Sequence, residues 1–243
     1  PDSEMSKVQE TYPHITFKYM WENLPFSNRI FNKFADEFYG WKFAWSLKPG
    51  DVVFLTNFGN VFFKVVKRKG VKVVHEKTEH PDVYSFKGFN VERYKREVVK
   101  VDGMFVISTA LKDYFVSCGL PKEKIEIVNM TVDSNRFVGL TKQPSEKYIA
   151  YCGTASNNKD GVDELIKSFA IVNKTHPEVK LYIIGKTPDK NDASGNLKLI
   201  ENLGVKDSIV FTGIVSAADI PQILKNAAVL ALDRPDSLQA QCG

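Results

Sequence analysis

Short apolar segments alternate with longer segments of helical periodicity along most of the chain, and this alternation limits the fold more than any other feature of the sequence. Strands are predicted at residues 51–56, 71–75, 103–108, 125–130, 148–152, 180–184, 209–212 and 229–232. Helices are predicted between them, at residues 60–69, 92–101, 109–118, 162–174, 196–203 and 217–226. Strands separated by helices are typical of parallel sheets with helices on both faces, so the expected fold class is α/β.

The chain before residue 57 adds a strand at 15–20 and a helix at 27–47. Large apolar side chains recur in that helix at spacings of three and four, at Ile30, Phe31, Phe34, Phe38, Trp41 and Trp45. This spacing predicts a helix that buries an aromatic stripe in the core rather than one that offers a ligand platform. Residues 51–56 form a continuous apolar run, which predicts a strand buried on both faces.

Charge and aromatic content divide the chain into two parts. Residues 1–145 hold 22 Lys and Arg against 17 Asp and Glu, whereas residues 146–243 hold 11 against 12. Residues 142–146 are polar and contain a proline, so a linker is predicted there, between an N-terminal domain at 1–143 and a C-terminal domain at 144–243. Both domains are expected to be incomplete, the first without an opening strand and the second without a final helix.

The basic first part has two interpretations. Five cations cluster on or just after one predicted helix beside Phe62 and Phe63, namely Lys64, Lys67, Arg68, Lys69 and Lys72. They favour either peripheral contact with an anionic membrane or a solvated basic face over an aromatic core.

Several classes of protein are not expected. No apolar stretch approaches the roughly 18 residues that a membrane span needs, and residues 1–5 lack the pattern of a signal peptide. The three cysteines, Cys118, Cys152 and Cys242, have no close spacing, so neither a disulfide framework nor a zinc site is predicted. A cytoplasmic location is the simplest expectation.

A loop that follows the predicted strand at 148–152 has the composition of an anion site. Gly153 and Gly161 allow close backbone approach, Thr154 adds a hydroxyl, and Lys159 adds a positive charge just before a predicted helix. Gly185 and Gly213 follow the next two strands in the same way. The spacing is neither a Walker loop nor Gly-x-Gly-x-x-Gly, so a phosphate site and an ordinary strand–helix loop both remain open.

Three stretches of sequence carry a resemblance to a known family. They are residues 151–169, residues 179–185 with 203–213, and residues 101–112 with 124–137. In their order and spacing they resemble the family 4 (group 1) glycosyltransferases. The resemblance implies a GT-B fold, in which two Rossmann-like domains face each other.

The resemblance also implies a substrate and its binding residues. A UDP- or GDP-linked sugar donor would bind the C-terminal domain, and a carbohydrate or lipid-linked acceptor would be reached through the N-terminal domain. Lys159 matches a lysine that neutralises the donor phosphates, and Thr154 stands after Gly153 where an arginine is common. The wall around the nucleotide base would include Gly185, Phe211, Thr212 and Gly213.

The same resemblance predicts the chemistry. Such enzymes retain the anomeric configuration and need neither a metal nor a cofactor, and no nucleic-acid partner is implied. Polysaccharide or glycolipid assembly is the expected role. Cys242 stands where the first of two glutamates is expected, so this chain as it stands is expected to lack part of the catalytic machinery.

A second group of polar residues follows the predicted strand at 71–75. Glu79 and His80 are the candidate catalytic residues, since His75 is expected to belong to the strand itself. A histidine there can hydrogen-bond a hydroxyl or balance developing charge. The alternative is a solvated charged loop.

Two other functions remain open for a chain with this fold. A sugar-nucleotide epimerase would need no acceptor, and a non-catalytic binding protein would need no glutamates.

Overall fold

The computed structural model describes residues 8, 10–15, 29–56, 58–87, 89–155, 157–188 and 194–242. The chain forms two compact units, unit 1 at Pro1–Val128 and unit 2 at Asn129–Gly243. The predicted strand at 15–20 lies outside the described residues except for Ile15. Among the described helices, none is long and apolar enough to cross a membrane.

Unit 1 contains a four-stranded parallel sheet whose strands lie in sequence order. The strands are β1 (Val52–Leu55), β2 (Lys72–Lys77), β3 (Gly103–Val106) and β4 (Ile125–Ile127). The α-helices are α1 (Arg29–Ser46), α2 (Asn60–Val65), α3 (Val91–Val98) and α4 (Thr109–Ser117), and a 3-10 helix at Pro81–Lys87 follows β2.

The core of unit 1 lies on one face of its sheet. Phe62 of α2, Tyr94 of α3 and Phe115 of α4 are fully buried, as are the strand residues Val73 and Met104. The other face of β1 is open, because Val52 and Phe54 are 66% and 52% exposed. The prediction that residues 51–56 are buried on both faces is therefore wrong for this strand.

The helix predicted at 27–47 is present as α1, but the predicted burial of its aromatic stripe is wrong. Phe34, Phe38, Trp41 and Trp45 are all exposed. The helix instead turns Gly40 toward α2, where a Cβ would lie 3.0 Å from Cγ2 of Val61. Close packing of two helices needs small side chains at the contact, so the large rings point away from it.

Unit 2 contains a second parallel sheet, in the order β7-β6-β5-β8. The strands are β5 (Tyr148–Cys152), β6 (Lys180–Ile184), β7 (Ile209–Gly213) and β8 (Val229–Leu230). The helices are α5 (Asn157–Asp160), α6 (Val162–Thr175), α7 (Asn196–Leu203), α8 (Ile220–Asn226) and α9 (Leu238–Cys242). The short helix α9 follows β8 where none was predicted.

Both faces of the unit 2 sheet carry buried clusters. Ile166 and Phe169 of α6 pack with Tyr151 and Leu181 on one face. Ala227, at the end of α8, packs with Tyr148 and Ala150 on the other. Successive residues of β5 thus supply alternate faces, as a strand covered on both sides requires.

The boundary between the units lies before the predicted linker, because residues 129–143 pack with unit 2. Arg136 donates a hydrogen bond to the Ala217 carbonyl, and Lys142 Nζ donates to the Ala227 carbonyl at 3.1 Å. The backbone N–H of Gln143 donates to Asn226 Oδ1 at 3.0 Å. The polar composition of residues 142–146 reflects an exposed segment within unit 2 rather than the link between domains.

Candidate functional site

Three glycines lie side by side at the carboxyl edge of the unit 2 sheet. The N–H of Gly153 donates to the Ile184 carbonyl at 2.9 Å, and the N–H of Gly185 donates to the Gly213 carbonyl at 3.2 Å. A Cβ on Gly185, whose φ is +146°, would lie 2.1 Å from the Gly153 carbonyl oxygen. The sheet edge thus exposes backbone at three adjacent strand ends, which is where open α/β sheets bind ligands.

Lys159 lies next to this edge, on the single turn of helix α5. Its side chain is exposed. Gly161 follows in the left-handed region, with φ +60° and ψ +37°, and is the N-cap of α6. The predicted loop therefore becomes one helical turn, a glycine corner and then a longer helix, whose first N–H groups lack partners within the helix.

An aspartate just before a helix is a candidate cap, so the sequence predicts that Asp160 caps α6, and this prediction is wrong. The N-cap of α6 is Gly161, which has no side chain to cap the helix. Asp160 is buried, and its Oδ2 lies 2.9 Å from the Tyr151 hydroxyl. That hydroxyl also lies 2.7 Å from the Thr154 carbonyl oxygen. Both oxygens accept, so they share the one proton of the hydroxyl, and the loop after β5 is fixed at both ends by Tyr151.

Arg234, which follows β8, forms an ion pair with Asp160. Its Nε lies 3.6 Å from Asp160 Oδ1, and its side chain is 36% exposed. A Cβ on Gly161 would lie 1.7 Å from the Asp233 carbonyl oxygen, so the two segments are in direct contact. We call Tyr151, Asp160 and Arg234 the loop brace.

Sequence reasoning missed the loop brace. The sequence predicts Tyr151 only as part of an apolar strand and Asp160 only as a helix cap, and it indicates no role for Arg234. The Asp160–Arg234 contact joins residues far apart in sequence, and no local pattern indicates it. Burial, followed by the hydrogen bond to Asp160, raises the pKa of Tyr151, so this phenol stays protonated as a donor.

The remaining residues predicted for the donor site lie on or next to β7. Phe211 packs against the core cluster and is only partly buried. Thr212 donates from Oγ1 to the Gly213 carbonyl at 3.0 Å. The structure brings Gly153, Gly185 and Gly213 together and leaves Thr154 and Lys159 exposed beside them.

The candidate catalytic loop of unit 1 is largely buried rather than solvated. His80 is 7% exposed, its ring lies 4.1 Å from the Tyr114 ring, and its Nδ1 accepts from the Asp82 N–H at 3.3 Å. Glu79 accepts a short hydrogen bond from the Tyr84 hydroxyl. Burial lowers the pKa of His80, which therefore favours the neutral imidazole.

Two further buried groups lie on β2, as expected for His75. His75 Nδ1 donates to the Leu55 carbonyl at 2.7 Å, and its Nε2 accepts from the Tyr94 hydroxyl at 3.0 Å. Lys77 is 4% exposed, with Nζ 3.9 Å from the centroid of the Phe58 ring and 4.7 Å from that of Tyr84. Burial lowers the pKa of His75 to about 4 and that of Lys77 to about 8.

Over the part of the chain that the structure describes, no group of three or more His, Cys, Asp or Glu side chains is placed to hold a metal ion. Among the described residues, the exposed Lys159 and Lys186 follow β5 and β6 at the carboxyl edge of the unit 2 sheet, and Arg234, which pairs with Asp160, follows β8. This edge therefore combines open backbone with positive charge, an arrangement that suits a phosphate or diphosphate.

Comparison with known proteins agrees with this description. Residues 133–234 match the sequence profile of the family described as "Glycosyl transferases group 1". The chain is 26% identical over 141 residues to the mannosylfructose-phosphate synthase of Agrobacterium fabrum, covering 52% of this chain and 30% of that protein.

Solved structures share the fold. The Anabaena protein Alr3699/HepE in complex with UDP has a TM-score of 0.67 at 17% identity, over 95% of this chain and 64% of that one. The sucrose-phosphate synthase of Thermosynechococcus elongatus has a TM-score of 0.66 at 16% identity, over 90% and 59%. The chain thus spans less than two thirds of these proteins. The predicted α/β fold class and the resemblance to group 1 glycosyltransferases of the GT-B fold are confirmed.

Proposed function

Starting from the resemblance to group 1 glycosyltransferases, we propose that this protein transfers a sugar from a nucleotide-sugar donor to a hydroxyl acceptor. The observation that carries the proposal is the carboxyl edge of the unit 2 sheet, where Gly153, Gly185 and Gly213 expose backbone next to Lys159. A nucleoside diphosphate needs this combination of close approach and positive charge. The donor is UDP- or GDP-linked.

The donor diphosphate lies, in this proposal, between Lys159 and the first N–H groups of α6. Lys159 supplies a charge-assisted contact, and the aligned peptide dipoles of the 14-residue helix favour an anion. The loop brace keeps this segment in place. Phe211, Thr212 and Gly213 provide the wall beside the base.

Catalysis then rests on positioning and on electrostatic stabilisation of the leaving diphosphate. The acceptor oxygen forms a bond to the anomeric carbon while the bond between that carbon and the diphosphate oxygen breaks, and the departing diphosphate takes up the proton of the acceptor hydroxyl. Transfer with retained configuration, without a metal or a cofactor, is part of the proposal. Glu79 and His80 remain the proposed catalytic residues in unit 1, with His80 acting as a neutral hydrogen-bonding group.

One observation favours a non-catalytic alternative. Cys242, which stands where a glutamate is expected, is a buried thiol rather than an exposed carboxylate. Burial raises the pKa of this thiol, so it cannot substitute for a charged group at neutral pH.

Chromatography of UDP- and GDP-sugars incubated with the protein separates these functions. A transferase releases the nucleoside diphosphate and does so faster when carbohydrate or lipid-linked acceptors are added. An epimerase converts the sugar while it stays linked to the nucleotide. Donor binding with no product of either kind would contradict the proposed transfer and support the binding protein.

Peripheral contact with an anionic membrane is the proposed partner interaction of unit 1, and its residues differ from those predicted. Phe62 and Phe63 are buried, and Lys67 forms an ion pair with Glu97 at 3.3 Å. The exposed aromatic stripe of α1 replaces them, with the Arg68 guanidinium 5.3 Å from the centroid of the Trp45 ring. Trp residues prefer the interfacial zone of a bilayer, and nearby cations favour anionic lipid.

Co-sedimentation with vesicles tests this contact. The protein is expected to bind anionic vesicles at low salt and to be released at high salt, because the charge contribution is screened. Replacing Trp41 and Trp45 by alanine is expected to weaken binding, whereas Ile171→Ala, at an exposed apolar residue of unit 2, is not. Equal partitioning to neutral and anionic vesicles would contradict the proposal.

A further inference from the structure

A cavity of about 510 Å³ opens in unit 1 at the carboxyl end of β1. Its apolar wall consists of Phe54, Leu55, Phe58, Val61, Phe63 and Phe89. Among the described lining residues, polar groups are fewer, and Asp36, Thr56 and Asn60 contribute them. The volume falls within the range of about 300–1,000 Å³ that small-molecule sites occupy, and such sites are mostly apolar with a few polar groups.

The aromatic wall is held in place by ring contacts behind it. The Phe58 ring lies 4.4 Å from Phe89 and 5.2 Å from the fully buried Tyr94. Phe63 is buried and lies 6.4 Å from Phe89 in a stacked arrangement. These contacts hold the rings in place before a ligand binds, so little side-chain conformational entropy is lost on binding.

One wall of the cavity is shared with the candidate catalytic loop. Phe58 lines the cavity, and its ring also lies 5.1 Å from Tyr84 and 3.9 Å from Lys77 Nζ. Tyr84 in turn donates its hydroxyl proton to Glu79. Phe58 therefore lies between the cavity and Tyr84, the residue that contacts the proposed catalytic Glu79.

We infer that this cavity binds an apolar hydrocarbon group of the acceptor, and so that the acceptor carries such a group next to the hydroxyl that receives the sugar. The inference rests on the proposed transferase function. A wall of four phenylalanines offers no partners for the hydroxyls of a fully polar oligosaccharide, which would lose hydration on entering. Asp36, Thr56 and Asn60 leave hydrogen-bonding groups for the polar part of the same molecule.

Calorimetric titration with two glucosides tests the inference on the whole chain. The probes are n-octyl β-D-glucoside, kept below its micelle concentration, and methyl β-D-glucoside, which has the same head group. The octyl compound is expected to bind at least about tenfold more tightly, because its longer chain is removed from water in the cavity.

Three variants locate the binding. Phe54→Ala removes a wall ring, and Thr56→Trp places an indole in the cavity; each is expected to weaken octyl glucoside binding by about fivefold or more. Phe38→Ala removes an exposed ring of α1 that does not line the cavity and is expected to leave binding unchanged. Since Phe54 is itself half exposed, its truncation is not expected to unfold the chain.

Titration of the same samples with UDP and with GDP separates this inference from the proposed function. If the protein binds one of these nucleotides but binds the two glucosides with equal affinity, the cavity assignment is overturned and the donor site still stands. Loss of octyl binding in Phe38→Ala as much as in Phe54→Ala also overturns it, since general adsorption to exposed rings would then explain the binding. Octyl selectivity without binding of either UDP or GDP upholds an apolar site here but overturns the proposed transferase and, with it, the assignment of the bound group to an acceptor.

Discussion

Replacing Gly161 by alanine is expected to lower the free energy of unfolding by more than about 4 kcal/mol, a loss that single substitutions seldom reach. Two costs combine. The backbone at Gly161 has φ +60°, where an alanine is strained. The added Cβ would also lie 1.7 Å from the Asp233 carbonyl oxygen, so the α6 corner and the segment after β8 would have to separate.

Gly195→Ala is the matched control, since Gly195 is also the N-cap of a helix, α7, with φ +74°. Among the residues that the structure describes, no atom lies within 4 Å of a Cβ built there. Only the backbone cost remains, about 1–2 kcal/mol. Urea unfolding followed by circular dichroism measures both. Equal losses in the two variants would show that the Gly161–Asp233 contact does not hold the site together.

Acidification is expected to destabilise unit 1 through His75. Its pKa is about 4 in the folded chain and 6.5 in the unfolded one, because burial disfavours the imidazolium. The unfolded chain therefore takes up the proton first as the pH falls. The stabilisation is complete above pH 6.5 and declines as the pH falls toward 4, by about 3 kcal/mol in all.

His75→Gln tests this origin. The variant keeps a polar side chain beside Leu55 and Tyr94 but takes up no proton, so the decline of its stability between pH 6.5 and 4 is expected to be shallower. His176→Gln, at a histidine whose side chain is 58% exposed, is expected to keep the wild-type decline. Urea unfolding at a series of pH values measures the slopes. An unchanged slope in His75→Gln would refute the assignment.

The sequence was sufficient to predict the strands of unit 2. Residues 148–152 and 180–184 are strands as predicted. Short, continuous apolar runs bounded by polar residues or glycine are typical of strands in a parallel sheet that is covered on both faces. The positions of Gly153, Gly185 and Gly213 at strand ends were also predictable, because each glycine directly follows one of the predicted strands. Whether the phosphate-site interpretation of that edge is right stays a prediction.

Periodicity could not show which face of α1 is covered. It correctly groups Phe34, Phe38, Trp41 and Trp45 on one side, but burial depends on the partner surface. The contact of Gly40 with Val61 decides the orientation, and that contact involves a residue with no side chain to signal it. The loop brace was unpredictable for a related reason, since Asp160 meets Arg234 only after β5 and β8 have paired.

The proposed function depends on binding of a nucleoside diphosphate through Lys159 at the carboxyl edge of the unit 2 sheet. Calorimetric titration of UDP and GDP into the wild type, Lys159→Ala and Lys167→Ala tests this binding. Lys167 is the control because it is an exposed lysine on α6 that pairs with Glu164 at 2.5 Å and Asp163 at 3.6 Å.

The wild type is expected to bind at least one of the two nucleotides, and Lys159→Ala is expected to bind it about tenfold more weakly or worse, as loss of a charge-assisted contact implies. Lys167→Ala is expected to bind like the wild type. The melting temperature of unliganded Lys159→Ala should stay near that of the wild type, because an exposed lysine contributes little to stability. Wild-type binding that Lys159→Ala leaves unchanged, or no binding of either nucleotide, would contradict the proposed donor site.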